Sequence, residues 1–90
     1  MTVQYTIRVM GKVQGVYFRA STRDQARQLG IKGYVKNLPG GEVFIEVGGD
    51  EDKVRKLIEW AHSGPLMARV DSVELAQVEI TELPEFEVRR

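Results

Sequence analysis

The strongest constraint on the fold is the order in which two hydrophobic periods follow one another along the chain. Val3, Tyr5, Ile7 and Val9 alternate with Gln4, Thr6 and Arg8, the two-residue period of a half-buried strand ending at Met10 or Gly11. Phe18, Thr22, Ala26 and Leu29 then recur at helical spacing, with Gly30 as a stop. Ser21 and Asp24 resemble a capping pair, which predicts that the regular helix starts two residues after Arg19. From Ile31, two short runs rich in Val, Ile, Phe and Tyr flank Leu38-Pro39-Gly40-Gly41, a hairpin signal. In the second arm Val43, Ile45 and Val47 share one face, and Phe44 lies opposite with Glu42 and Glu46.

Asp50 is predicted to cap a second amphipathic helix with Val54, Leu57, Ile58 and Ala61 on its stripe, Trp60 beside it and Gly64-Pro65 closing it. Ala68 to Ile80 reads as a strand whose apolar phase changes from Val73 and Leu75 to Ala76, Val78 and Ile80, so a bulge is expected near Leu75. After Pro84, FEVRR forms a short last strand. The order is that of the split βαβ, ferredoxin-like arrangement. The expected fold is therefore an α+β sandwich: an antiparallel sheet, two helices on one face through right-handed crossovers, and a short C-terminal strand. A chain of 90 residues is expected to form one domain, 1–90.

Charge and composition narrow the function. Thirteen basic residues balance 13 acidic ones, which removes the strong positive field of a nucleic-acid binder but leaves room for a local anion site. With no cysteine, disulfides, thiolate catalysis and cysteine-held metals are excluded, and the lone His62 argues against a histidine metal site or a Ser-His triad. The amino terminus MTVQYTIRV has no basic region followed by an apolar stretch, and no run approaches the roughly 18 apolar residues of a membrane span. A soluble, cytoplasmic protein without a membrane partner is expected.

The chemistry concentrates in GKVQGVYFR, Gly11 to Arg19, which has two glycines, no acid, and an arginine where the helix begins. Backbone NH groups of Gln14, Gly15, Val16, Tyr17, Phe18 and Arg19 would lie where the free donors and the dipole of a helix start favour negative charge. Gly15 permits close approach of a ligand, and the Arg19 guanidinium suits two phosphate oxygens. On this ground alone the loop is more often a simple turn, and it matches neither GxGxxG nor GxxxxGK[ST]. Asn37, at the end of the strand entering the LPGG turn, is either a turn former or an amide that holds one water. His62 reads as a helix-end residue, Trp60 and Phe44 as packing residues, and Asp50-Glu51-Asp52 as a favourable helix start.

GKVQGVYFR resembles the first signature of the acylphosphatase family, GxVQGVxFR, and Gly33 to Val43, GYVKNLPGGEV, resembles the second. The likeness in layout extends over essentially all 90 residues. It implies a freestanding, monomeric enzyme that hydrolyses the carboxyl-phosphate bond of acyl phosphates to a carboxylate and inorganic phosphate, with no metal or cofactor. By position, Arg19 matches the phosphate-binding arginine, Asn37 the asparagine that orients the attacking water, and Gln14 to Phe18 the backbone phosphate cradle. Tyr17 fills a variable position, Leu38 replaces a hydroxyl residue of some members, and Arg90 replaces the usual terminal tyrosine. Two non-catalytic readings stand beside it. One is an anion-binding module. The other is an RNA-binding module, whose third-strand signature begins like Lys32-Gly33-Tyr34 but then fails and falls on the second strand.

Overall fold

A computed structural model describes residues 1–90. Along the chain run β1 (Thr2–Lys12), α1 (Phe18–Leu29), β2 (Lys32–Asn37), β3 (Val43–Asp50), α2 (Glu51–Ala61), β4 (Arg69–Gln77) and β5 (Glu87–Val88). The sheet order is β4-β1-β3-β2-β5. The expected ferredoxin-like arrangement is present. Register explains why the alternating residues make one core: Ile7 lies opposite Ile45, Val9 opposite Val43, and Val35 opposite Ile45, so the inward side chains of three strands meet on one face. Phe18, Thr22 and Ala26 of α1 and Val54, Leu57 and Ala61 of α2 close over that face. Each fully buried Val, Ile, Leu or Phe contributes about 1.5–3 kcal/mol relative to exposure.

The start of α1 differs from the expected one. The helix begins at Phe18 with Tyr17 as N-cap and no side-chain capping bond, so Ser21 and Asp24 sit inside it. Asp24 instead accepts a hydrogen bond from Arg23 Nε at 3.2 Å. Burial decides the matter: Phe18 is 1% exposed and packs against Trp60 at 5.5 Å between ring centroids. An aromatic anchor outweighs a polar cap worth about 1 kcal/mol. The C-terminal stop is as expected, with Gly30 NH donating to Arg27 O and Ile31 NH to Ala26 O in a Schellman pattern. Asp50 occupies the N-cap of α2 but makes no capping bond, its carboxylate standing 3.6 Å from the Met1 amino group.

The expected bulge near Leu75 is elsewhere. Pairing runs unbroken from Val73 through Leu75 to Gln77, and the register shifts between Met10 and Gly11, leaving Asp71 as the extra residue of β4. The change of apolar phase has another cause, because β4 ends at Gln77 and the residues that break the alternation have left the ladder. They belong to a strap that crosses the sheet face away from the helices. Val78 NH bonds Gln4 O, Thr81 NH bonds Gln4 Oε1, Leu83 lies over Gly48, and Gly33 NH bonds Pro84 O. The strap buries Gln4 and delivers Phe86, fully buried, to the far edge. There β5 joins β2 in parallel, so the four-stranded antiparallel sheet becomes a mixed five-stranded one. No helix is long and apolar enough to cross a membrane.

Candidate active site

Residues 13–17 join β1 to α1, and their shape follows from which side chains are buried. Val13 and Val16 are in the core with Phe18, so the intervening main chain is held at the surface. Gly15 has φ 76° and Tyr17 φ 63°, ψ 23°, both left-handed, while Val16 between them is not. Alternating signs of φ curl successive NH groups toward one side, the main-chain concavity that binds anions. A Cβ on Gly15 would meet nothing within 4 Å, so glycine serves the backbone angle and not a steric limit. Tyr17 is the only non-glycine residue with positive φ, a conformation costing roughly 1–3 kcal/mol. Its ring is exposed, so the strain is held by the buried neighbours Val16 and Phe18.

The NH groups from Gln14 to Arg19 donate to no main-chain or side-chain acceptor of the protein. A helix start leaves about four such donors, so those of Gln14, Gly15 and Val16 are additional. The first turn of α1 carries no acid, and the positive end of its dipole is left unneutralised. Arg19, half-buried in that turn, takes part in none of the ion pairs. It lines a shallow cavity with Ala20, Arg23, Val88 and Arg90.

Asn37 ends β2 opposite Val43. It shares the register face of Val35, which points toward the helices, and its Oδ1 is buried without a hydrogen-bond partner. An unpaired buried acceptor costs about 1–3 kcal/mol, so its retention calls for a reason outside the fold. The turn after it is the expected hairpin, closed by Leu38 NH to Glu42 O at 2.8 Å and Gly41 NH to Leu38 O at 3.1 Å.

One connection was not foreseen from the sequence. The Gln14 side chain reaches across to the hairpin, its Nε2 donating to Leu38 O at 2.9 Å and Glu42 O at 3.0 Å. It thereby ties the curled loop to the turn that begins at Asn37. A signal existed, since Gln14 is the polar residue between Val13 and Val16, both buried, and needed partners of its own. Glu42, whose Oε1 is also buried without a partner, was likewise missed. The other residues singled out stand apart. Trp60 packs on Phe18, Phe44 faces Tyr34 on the opposite side of the sheet, and His62 Nδ1 lies 2.9 Å from Ile58 O at the end of α2. On that opposite side, burial raises the Tyr34 phenol pKa, the hydrogen bond to Glu46 and its charge raise it further, and Arg89 opposes them.

Comparison with known proteins agrees with this geometry. A family model described as Acylphosphatase matches residues 5–88. An acylphosphatase of Anaeromyxobacter dehalogenans is 49% identical over 88 residues, 97% of this chain and 95% of its own. The structure of an acylphosphatase from Coxiella burnetii is similar with a TM-score of 0.94 at 38% identity, over 98% of this chain and 93% of that one. The crystal structure of acylphosphatase from Bacillus subtilis gives 0.93 at 29% identity, over 98% and 99%. With its first signature forming the curled loop and its second ending in the hairpin bonded to that loop, the chain belongs to the acylphosphatase family.

Proposed function

We propose that this chain is a cytoplasmic, monomeric hydrolase that cleaves the carboxyl-phosphate bond of acyl phosphates without a metal or cofactor. One observation carries the reading: six consecutive NH groups, curled by Gly15 and Tyr17 and free of protein acceptors, run into Arg19. In this reading the phosphoryl oxygens accept hydrogen bonds from the NH groups of Gln14 to Phe18 and from the Arg19 guanidinium. Charge in the loose transition state of phosphoryl transfer is spread over those oxygens, so fixed donors there lower the barrier.

The free Oδ1 of Asn37 accepts a hydrogen bond from the attacking water and sets it in line with the bond to be broken. The oxygen of that water bonds to phosphorus as the bond to the acyl oxygen breaks, and the electron pair leaves on the carboxylate. A carboxylate is a weak base at neutral pH, so no acid is needed to protonate it, and the water's protons pass to product phosphate and solvent. Asn37 positions and does not deprotonate.

The test is hydrolysis of benzoyl phosphate in the presence of a chelator. Full activity is expected, with a rate nearly level between about pH 5 and 8, because no side chain titrating in that range takes part. Asn37→Ala should lower kcat on the order of a hundredfold, about 3 kcal/mol, by analogy with loss of one oxyanion donor. Arg19→Ala should also weaken competitive inhibition by inorganic phosphate. Activity abolished by the chelator and restored by a divalent cation would overturn the reading, as would phosphate inhibition of Arg19→Ala at wild-type strength.

A further inference from the structure

The cavity beside Arg19 contains more positive charge than a phosphoryl group needs. Its lining is Arg19, Ala20, Arg23, Val88 and Arg90, about 340 Å³ with three guanidinium-bearing residues and no acidic side chain. Arg19 and Arg23 project together because they are four residues apart on α1, one turn along the same side. Arg90 comes from the other end of the chain, carried there because β5 pairs with β2 and because Arg27 Nε of α1 holds Phe86 O at 3.0 Å. Arg23 is partly neutralised by Asp24 at 3.2 Å, whereas Arg90, like Arg19, forms no ion pair. The next residue back differs: Arg89 is paired with Glu87 and stacks over the Tyr34 ring at 4.0 Å.

Like charges gathered on one cavity repel one another, and a site lined by one sign focuses the field on a ligand of the other. On the reading that Arg19 holds the phosphoryl group, the acyl part of the substrate is covalently attached to a group at the edge of this cavity. Ala20 and Val88 offer an apolar strip for its carbon chain, while Arg23 and Arg90 offer partners for charge at its far end.

We infer that Arg90, with Arg23, forms a specificity subsite that selects acyl phosphates whose acyl part bears a second anionic group, such as a distal carboxylate. The inference rests on the acyl phosphate hydrolysis proposed above. The subsite acts on binding: a distal carboxylate has no part in the bond changes at phosphorus, so the preference resides chiefly in KM. It weakens as salt rises, since exposed charges are screened beyond about 8 Å at physiological ionic strength.

The experiment compares 4-carboxybenzoyl phosphate with 4-methylbenzoyl phosphate, two substrates of nearly equal size that cannot cyclise. The readout is the ratio of their kcat/KM values, in the wild type and in Arg90→Gln and Arg23→Gln, at low and high salt. The wild type should favour the carboxylated substrate. Arg90→Gln should lower that ratio by about threefold to fivefold, the scale of one solvent-exposed charge pair. Arg23→Gln should lower it less, and high salt should bring the wild type toward the Arg90→Gln value. A ratio unchanged by Arg90→Gln, or a wild type that favours the methyl compound, overturns the subsite while hydrolysis itself stands. Failure of the wild type to hydrolyse either compound overturns the underlying reading instead.

Discussion

The bridge made by Gln14 gives a sharp test of how the loop is held. Gln14→Met keeps the length and most of the volume of the side chain but removes both donated hydrogen bonds, to Leu38 O at 2.9 Å and to Glu42 O at 3.0 Å. Each carbonyl keeps a main-chain donor, Gly41 NH for Leu38 and Leu38 NH for Glu42, so neither acceptor is orphaned. The stability loss should then lie near the low end for two hydrogen bonds, about 1–2 kcal/mol. Gln14→Glu should lose more, because a carboxylate would face two carbonyl oxygens and would carry negative charge into the loop proposed above to bind the phosphoryl group.

The effect on turnover should be the larger signal. With the tie gone, the NH groups of the loop and the Asn37 amide are no longer held in register with one another. Misplacement by about 1 Å can reduce a rate up to a hundredfold, so a fall of roughly tenfold in kcat for Gln14→Met is expected from partial loosening. Urea unfolding and benzoyl phosphate kinetics on the two variants measure both quantities. Retention of wild-type stability and kcat by Gln14→Met would refute the bridge as the element that sets loop against hairpin.

Two further outcomes follow from the sheet. Gly33→Ala should destabilise by about 3 kcal/mol or more, since its φ of 143° disfavours a side chain and an added Cβ would lie 1.9 Å from Glu46 O, a backbone atom that cannot move aside; equilibrium unfolding measures it. For Tyr34, a folded pKa raised above 10.0 means that the protonated phenol is favoured by folding. That stability is fully present below pH 10 and is lost as pH rises through the folded pKa, so the urea midpoint should fall above pH 10 more steeply in the wild type than in Tyr34→Phe.

The parts of the fold legible in the sequence are those fixed by local period. Val3 to Val9 and Val43 to Val47 must put one set of side chains on one face whatever they pair with, and the α2 stripe from Val54 to Ala61 needs a core of that shape. The misreadings arose where distant residues decide. Ser21 and Asp24 carry a local capping signal, but Trp60, about forty residues away, provides the surface that pulls Phe18 into the helix. The phase change after Leu75 looks like a bulge because nothing local announces that the chain leaves the ladder to cover Gln4. At the site, the motif marked the main chain of the loop. The reach of Gln14 to the hairpin depends on β1 and β2 standing in one sheet with β3 between them, a fact of topology.

That topology also explains how a chain with zero net charge can hold a strongly positive place. The acids Glu46, Glu74 and Glu87 belong to strands, and Glu46 and Glu87 are engaged with Gln4, Tyr34 and Arg89. The first turn of α1 has no acid, and the loop before it has none either. Because exposed charges separated by more than about 8 Å are largely screened at physiological salt, the balance over the whole chain matters little at the loop, and the local set of NH groups, helix end and Arg19 decides. A prediction distinguishes local from global control. Replacing a distant surface acid by its amide, as in Glu79→Gln, changes net charge by one unit and should leave phosphate inhibition within about twofold of the wild type. Introducing an acid in the first helical turn, as in Ala20→Asp, makes an equal and opposite change in net charge and should weaken inhibition about tenfold, because it places negative charge beside the donors. Equal and opposite shifts in the inhibition constant from the two variants would show that net charge governs and would refute the local account.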